Sequence, residues 1–176
     1  MTRATIAPLF RGWELQNERL VARLRGLTLE QLQLPIGSPS WPVWASAAHV
    51  AGARVMWLCS VFKEPGAETT GFGDLDLMRM GWEDDLEHPR GADELVHALE
   101  SSRAIVDRCL STWTVDSLEQ EARRVREDEV QMHTRQSVLF RLVTHDAYHA
   151  GEISLTLGSA GLGEIDLWRG LARIVR

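Results

Sequence analysis

Two histidines stand four residues apart in THDAYHAGEI, residues 144–153, with Asp146 between them and Glu152 three beyond the second. On a helix, residues four apart are neighbours about 6 Å apart at Cβ, so His145 and His149 point the same way and can grip one ion. An ion about 2.1 Å from each imidazole nitrogen needs a third ligand from elsewhere to be held firmly. His49 in WASAAHVAGARVMW is the candidate. A polar ring amid that apolar run would face the interior, where burial without a partner is costly, and Ala45, Ala48 and Gly52 leave room beside it. Taken singly, His49 is accounted for as a core histidine with one hydrogen bond. With an inward-facing pair available on another helix, a metal site of His49, His145 and His149 is the better account.

The neighbouring residues test other chemistries. HDAYH is spelled much like the HExxH of zinc proteases, but Asp146 is one methylene shorter than the glutamate that serves there as general base, and the third ligand of the extended motif lies further along. Asp146 is expected either to face solvent or to orient a histidine, because a metal-bound imidazole usually gives its other N–H to a carboxylate or carbonyl. Glu152, seven after His145, shares its face and could be a fourth ligand, a proton acceptor or a buried polar group, so it is not assigned as a ligand. Of the seven tryptophans, most are expected in the core, and Trp44 or Trp82 could line a pocket near the ion. His88, His97 and His133 suit surface or capping roles. No glycine-rich phosphate loop, serine nucleophile elbow or activated cysteine is present, which leaves phosphoryl and acyl transfer without support.

Four helices must position these side chains. An apolar stripe of Leu9, Trp13, Leu20, Leu24 and Leu27 predicts the first from about Ile6 to Leu27. The second opens at Ser40 or Trp41 before Pro42, with the proline in its first turn, and continues through Phe62 until Pro65-Gly66 stops it. The third runs from Ala92 or Asp93 to about Leu110, and the fourth from near Thr134 to the glycines of GSAGLG. A final helical turn is expected around Leu167 to Ile174. Between the second and third helices, residues 64–91 are too long for a simple link and predict a crossover, with the capacity to lid a site at one end of the fold. Between the third and fourth, DSLEQEA suggests a helical turn and RRVREDEVQMH a short hairpin about Glu127-Asp128. The fold class expected is therefore all-α, a four-helix bundle in one domain over residues 1–176, with a long crossover between helices 2 and 3.

Composition narrows the partners. A chain of 176 residues, 44% hydrophobic and 25% charged, suits an ordered globular domain. Net charge is −6 and no Lys/Arg face stands out, so nucleic acid is not an expected partner. No apolar run approaches a membrane span and the N-terminus lacks a signal-peptide core, so a cytoplasmic location is expected, with Cys59 and Cys109 as buried, reduced thiols.

A histidine within AAHVAGARVMWL, a long excursion, then HDAYHAGEISLTLGSAGL together resemble the DinB/YfiT-like family of metalloenzymes, most specifically at His145, His149, Gly151 and Ile153. The resemblance covers most of the chain. It implies a four-helix bundle with a long crossover, a homodimer, and His49, His145 and His149 as ligands of a divalent transition metal (nickel or zinc first, then iron or manganese) with water completing the coordination. It also implies a small-molecule substrate and a low-molecular-weight thiol, such as bacillithiol or mycothiol, used in transfer or isomerisation during stress defence or detoxification. One departure stands out: the family's frequent glutamine is Glu152 here, which adds negative charge near the ion.

Overall fold

The computed structural model describes residues 4–37, 41–166, 170, 172 and 175. The chain is mostly helical. A single 3-10 turn, Ala7–Phe10, leads into α1 (Arg11–Leu24). The expected first helix is thereby shortened at both ends, and Leu9, placed by periodicity on its apolar stripe, lies exposed on the turn before it. A four-residue helix, α2 (Leu29–Leu32), follows, started by a capping box in which Thr28 and Gln31 satisfy each other's backbone N–H.

The second long helix, α3 (Val43–Val55), begins directly after Pro42, which caps it from outside the first turn; the alternative start at Ser40 lies outside the described residues. The helix does not end at Val55 but widens into a π-helical segment, Met56–Val61, which carries Trp57, Leu58 and Val61 inward together. Every residue of α3 except His49 is buried, because Ala45, Ala47, Ala48, Ala51, Gly52 and Ala53 let neighbouring helices approach on all sides. The third long helix, α4, spans Ala92–Thr112, and the fourth, α5, spans Arg135–Ser159 with Thr134 accepting the N–H of Ser137 as its cap. α3 packs chiefly on α4 and α5, while α1 packs on α4 and more narrowly on α5. Leu20, Leu24, Trp44, Leu58, Leu95, Leu99, Leu142 and Ile153 fill the space between them.

An all-α class needs correction. Strands β1 (Glu121–Arg126) and β2 (Glu129–Thr134) form an antiparallel hairpin, with Arg126 opposite Glu129 and Ala122 opposite His133. The turn falls at Glu127-Asp128 as the sequence suggested, with Glu127 at a φ of 54°. The helical turn expected in DSLEQEA is only a 3-10 turn at Val115–Ser117, overlapping that stretch's start. The crossover is irregular, with 3-10 turns at Ala67–Thr69 and Trp82–Asp84, and it enters through Gly66 at a φ of 115°, a backbone shape that glycine adopts without strain. Its second turn lies against α3. The terminal turn expected around Leu167 to Ile174 falls mostly outside the described residues.

Candidate metal centre

α3 and α5 bring the three predicted histidines together. Ring centroids of His49 and His145 are 4.7 Å apart, those of His145 and His149 4.5 Å, and those of His49 and His149 5.1 Å. One ligand nitrogen from each lies within 4.8 Å of the others. Nε2 of His145 is 2.9 Å from Nε2 of His49. Two nitrogens each about 2.1 Å from one ion and at right angles to it are about 3.0 Å apart, so this separation suits a shared divalent ion. The donor chemistry fits as well, since three imidazoles suit zinc, nickel and iron.

The other nitrogen of each ring faces a carboxylate. Nδ1 of His49 is 2.6 Å from Oε1 of Glu83, and Nδ1 of His149 is 2.8 Å from Oε2 of Glu152, with Oγ of Ser46 3.3 Å from that same Nδ1. An ionised carboxylate only accepts, so both Nδ1 atoms carry the proton and both Nε2 lone pairs are left for an ion. For His145, Nδ1 is buried without a hydrogen bond, and Oδ1 of Asp146, likewise buried and unbonded, lies 3.8 Å away. Burial, followed by the like charges that His145 and His49 would carry, pushes the pKa of His149 down, which favours the neutral ring a metal requires.

Asp146 is not solvent-facing, one of its two expected settings. It is buried, and its Oδ2 accepts Trp13 Nε1 at 2.6 Å, Arg54 Nε at 2.9 Å and an Arg54 terminal nitrogen at 2.7 Å. Burial alone would raise its pKa, yet the Arg54 guanidinium and these hydrogen bonds hold the carboxyl below the usual range. Arg54 also donates to Asn17 and to the carbonyl of Leu99, so one buried guanidinium joins all four long helices beneath the histidines.

Among the expected lining residues, Glu152 sits beside His149 as a proton acceptor, whereas Trp44 is enclosed in the core. The indole against the site is Trp41, 4.9 Å from the His49 ring and 6.3 Å from that of His149. Trp82 does not line the cavity beside the histidines: it packs on Phe72 at 4.6 Å and under Arg90 at 4.5 Å, next to Glu83, which meets His49. Glu83 was not foreseen, because the crossover that carries it has no periodicity to assign its direction. Arg54 could have been: an arginine in an otherwise small and apolar helix must find a buried anion. Of the remaining histidines, His88 and His97 are exposed as expected, while His133 is half-buried with its ring edge 4.7 Å from Trp57.

A cavity of about 320 Å³ adjoins the site, bounded by Trp41 and His49 on the α3 side, by Met80 and Glu83 on the crossover, and by Arg124 and Arg126 on the hairpin. A larger groove of about 530 Å³ runs past Leu34, Pro35 and Leu155 and touches Glu152, but none of the three histidine rings lines it. Among the described residues, no helix is long and apolar enough to cross a membrane.

Fold and site together define a mostly helical protein with a three-histidine group able to hold a metal ion. The family model described as the DinB superfamily matches residues 13–153, and the chain belongs to that superfamily. A crystal structure of a DinB-like protein from Bacillus cereus ATCC 10987 is similar in fold, with a TM-score of 0.64 at 18% identity over 91% of this chain and 95% of that one. No curated protein matches the sequence.

Proposed function

We propose that this DinB-superfamily protein is a metal-dependent enzyme that uses a small external thiol in a transfer or isomerisation reaction, within stress defence or detoxification. In this reading the four long helices act as a bundle, and His49, His145 and His149 hold one divalent ion, nickel or zinc ahead of iron or manganese. A bound ion with an open position supplies Lewis acidity that favours the thiolate form of a sulfur ligand. The observation that carries the reading is the convergence of three imidazoles whose outer nitrogens each face a carboxylate, Glu83, Asp146 or Glu152.

The chain's own residues prepare the site. Glu83 and Glu152 keep the Nδ1 proton on their histidines, so Nε2 stays free. Trp41 excludes water from one side of the rings. Burial pushes Cys59 up to about 11 and Cys109 up to about 12, which disfavours the thiolate of either and supports an external source for the reactive sulfur. The reading includes a cytoplasmic homodimer acting on a small molecule, without nucleic-acid or membrane partners.

The rival reading is a non-catalytic bundle whose ion only cross-links α3 and α5. The exposure of the His49 and His145 side chains, 28% and 22%, and the adjoining cavity favour an ion that keeps an exchangeable position. Elemental analysis of untagged protein beside His49→Ala and His145→Ala tests the site: about one ion per chain is expected, lost in both variants. A screen of small thiols against electrophiles on the loaded protein then separates enzyme from cross-link. Absence of any ion after nickel, zinc and manganese are offered back would overturn the reading.

A further inference from the structure

The hairpin points its residues the wrong way round for a packed ribbon. Alternation along β1 puts Ala122, Arg124 and Arg126 on one face and Arg123 and Val125 on the other, and residues directly opposite on β2 share those faces. Val125, Val130 and Met132 are exposed, whereas Arg124 and Arg126 line the cavity beside His49. In a chain of net charge −6, the ribbon therefore turns Arg124 and Arg126 toward the cavity beside His49, and leaves Val125, Val130 and Met132, with Arg123, facing solvent.

Neither arginine has an ion-pair partner among the described residues. Arg124 is held by stacking rather than by an anion, its guanidinium 4.9 Å from the centre of the Trp57 ring, over which Arg141 also sits at 5.0 Å. Its Nε is buried and unbonded. Burial, then Arg126 and Arg141, push its pKa down, so an arriving negative charge would relieve both the desolvation and the repulsion. Two acidic residues line the same cavity: Glu83 holds His49 through Oε1 while its Oε2 is buried and unbonded, and Asp84 accepts the N–H of Gly81. Glu129, opposite Arg126 across the ribbon, accepts from Gln131, which leaves the two arginines to carry an anion site. The third arginine on the cavity, Arg79, is paired with Asp76.

We propose that this cavity is an anion subsite, in which a small molecule bearing a carboxylate or phosphate group pairs with Arg124 and Arg126 while the rest of it reaches His49. A guanidinium offers a planar fork of donors that matches either oxyanion, and about 320 Å³ admits a molecule of metabolite size but no polymer. As the place where the reacting molecule is anchored, the subsite rests on the metal-enzyme reading; as a binding site for anions, it does not.

The test uses the whole protein, with inorganic phosphate and succinate as probes at constant ionic strength and chloride as the reference anion. Tryptophan fluorescence reports binding, since Trp57 lies against Arg124 and Trp41 lines the cavity. A saturable response to either probe is expected, weakened at least tenfold in Arg124→Gln and Arg126→Gln and unchanged in Arg25→Gln, whose side chain pairs with Glu100 away from the cavity. A response to phosphate alone assigns a phosphorylated ligand, and one to succinate alone a carboxylate. No saturable response, or one that both cavity variants retain, overturns the proposal. Metal content measured on the same samples keeps the two readings apart: a variant that retains its ion yet loses anion binding supports the subsite alone, and a protein without metal that binds phosphate normally sinks only the metal reading.

Discussion

Nδ1 of His49 lies 2.6 Å from Oε1 of Glu83, a residue 34 positions later that belongs to no long helix. The carboxylate that faces one histidine of the candidate metal group is thus supplied by the crossover, which makes that excursion part of the candidate site rather than a mere connection. Its neighbour Trp82 is clamped between Phe72 and Arg90.

Replacing Glu83 by glutamine should therefore weaken metal affinity while leaving the fold intact. Loss of the carboxylate partner of a metal-bound histidine typically lowers affinity about 10- to 100-fold. Competition against a chromophoric chelator measures this. An affinity equal to that of the parent protein would mean the Glu83 contact plays no part in holding the ion.

Breaking the buried pair beneath the site should cost far more than removing it whole. In Arg54→Met, Asp146 keeps its charge in the core with only the Trp13 N–H donating to it, and a loss of about 3–5 kcal/mol is expected in urea unfolding. The double variant Arg54→Met with Asp146→Leu should recover most of that loss, because no uncompensated charge remains. Equal destabilisation in single and double variants would show that the residues act through packing alone.

The cysteines give a pH dependence of known sign. A thiol whose folded pKa is raised stabilises the native state fully below its unfolded value near 9, and that contribution disappears as pH rises toward about 11 for Cys59 and about 12 for Cys109. Stability should decline above about pH 9 in the parent and less so in Cys109→Ala compared at matched starting stability. At pH 8, iodoacetamide should label both thiols in the denatured chain long before it labels either in the native one. Cys59 is only half-buried, so Cys109 is the sharper test: its rapid native labelling would place a thiolate where the structure has a buried thiol.

Metal release should follow histidine protonation. Ligand imidazoles must be neutral, so an ion held at pH 7.5 should dissociate as pH falls well below about 6.5, the ordinary histidine value. Dialysis at pH 7.5 and at pH 4.5, followed by elemental analysis, gives the comparison. Identical metal content in both would exclude an all-histidine site.

Local pattern alone carried much of this protein. The i, i+4 spacing of His145 and His149, the apolar surroundings of His49, the capping threonine before α5 and the turn at Glu127-Asp128 are all set by residues near one another in sequence, so periodicity and turn chemistry suffice to read them. Tertiary packing decided the rest. Which way Glu83 points on an aperiodic crossover, which of Trp41 and Trp44 meets the histidines, whether Asp146 faces water or Arg54, and which face of the hairpin turns inward all depend on partners far along the chain. A side chain's direction is legible from sequence only where a helix or strand period constrains it. Long-range electrostatic pairing and close packing supply the constraint where that period is silent or, as in the hairpin, contradicted.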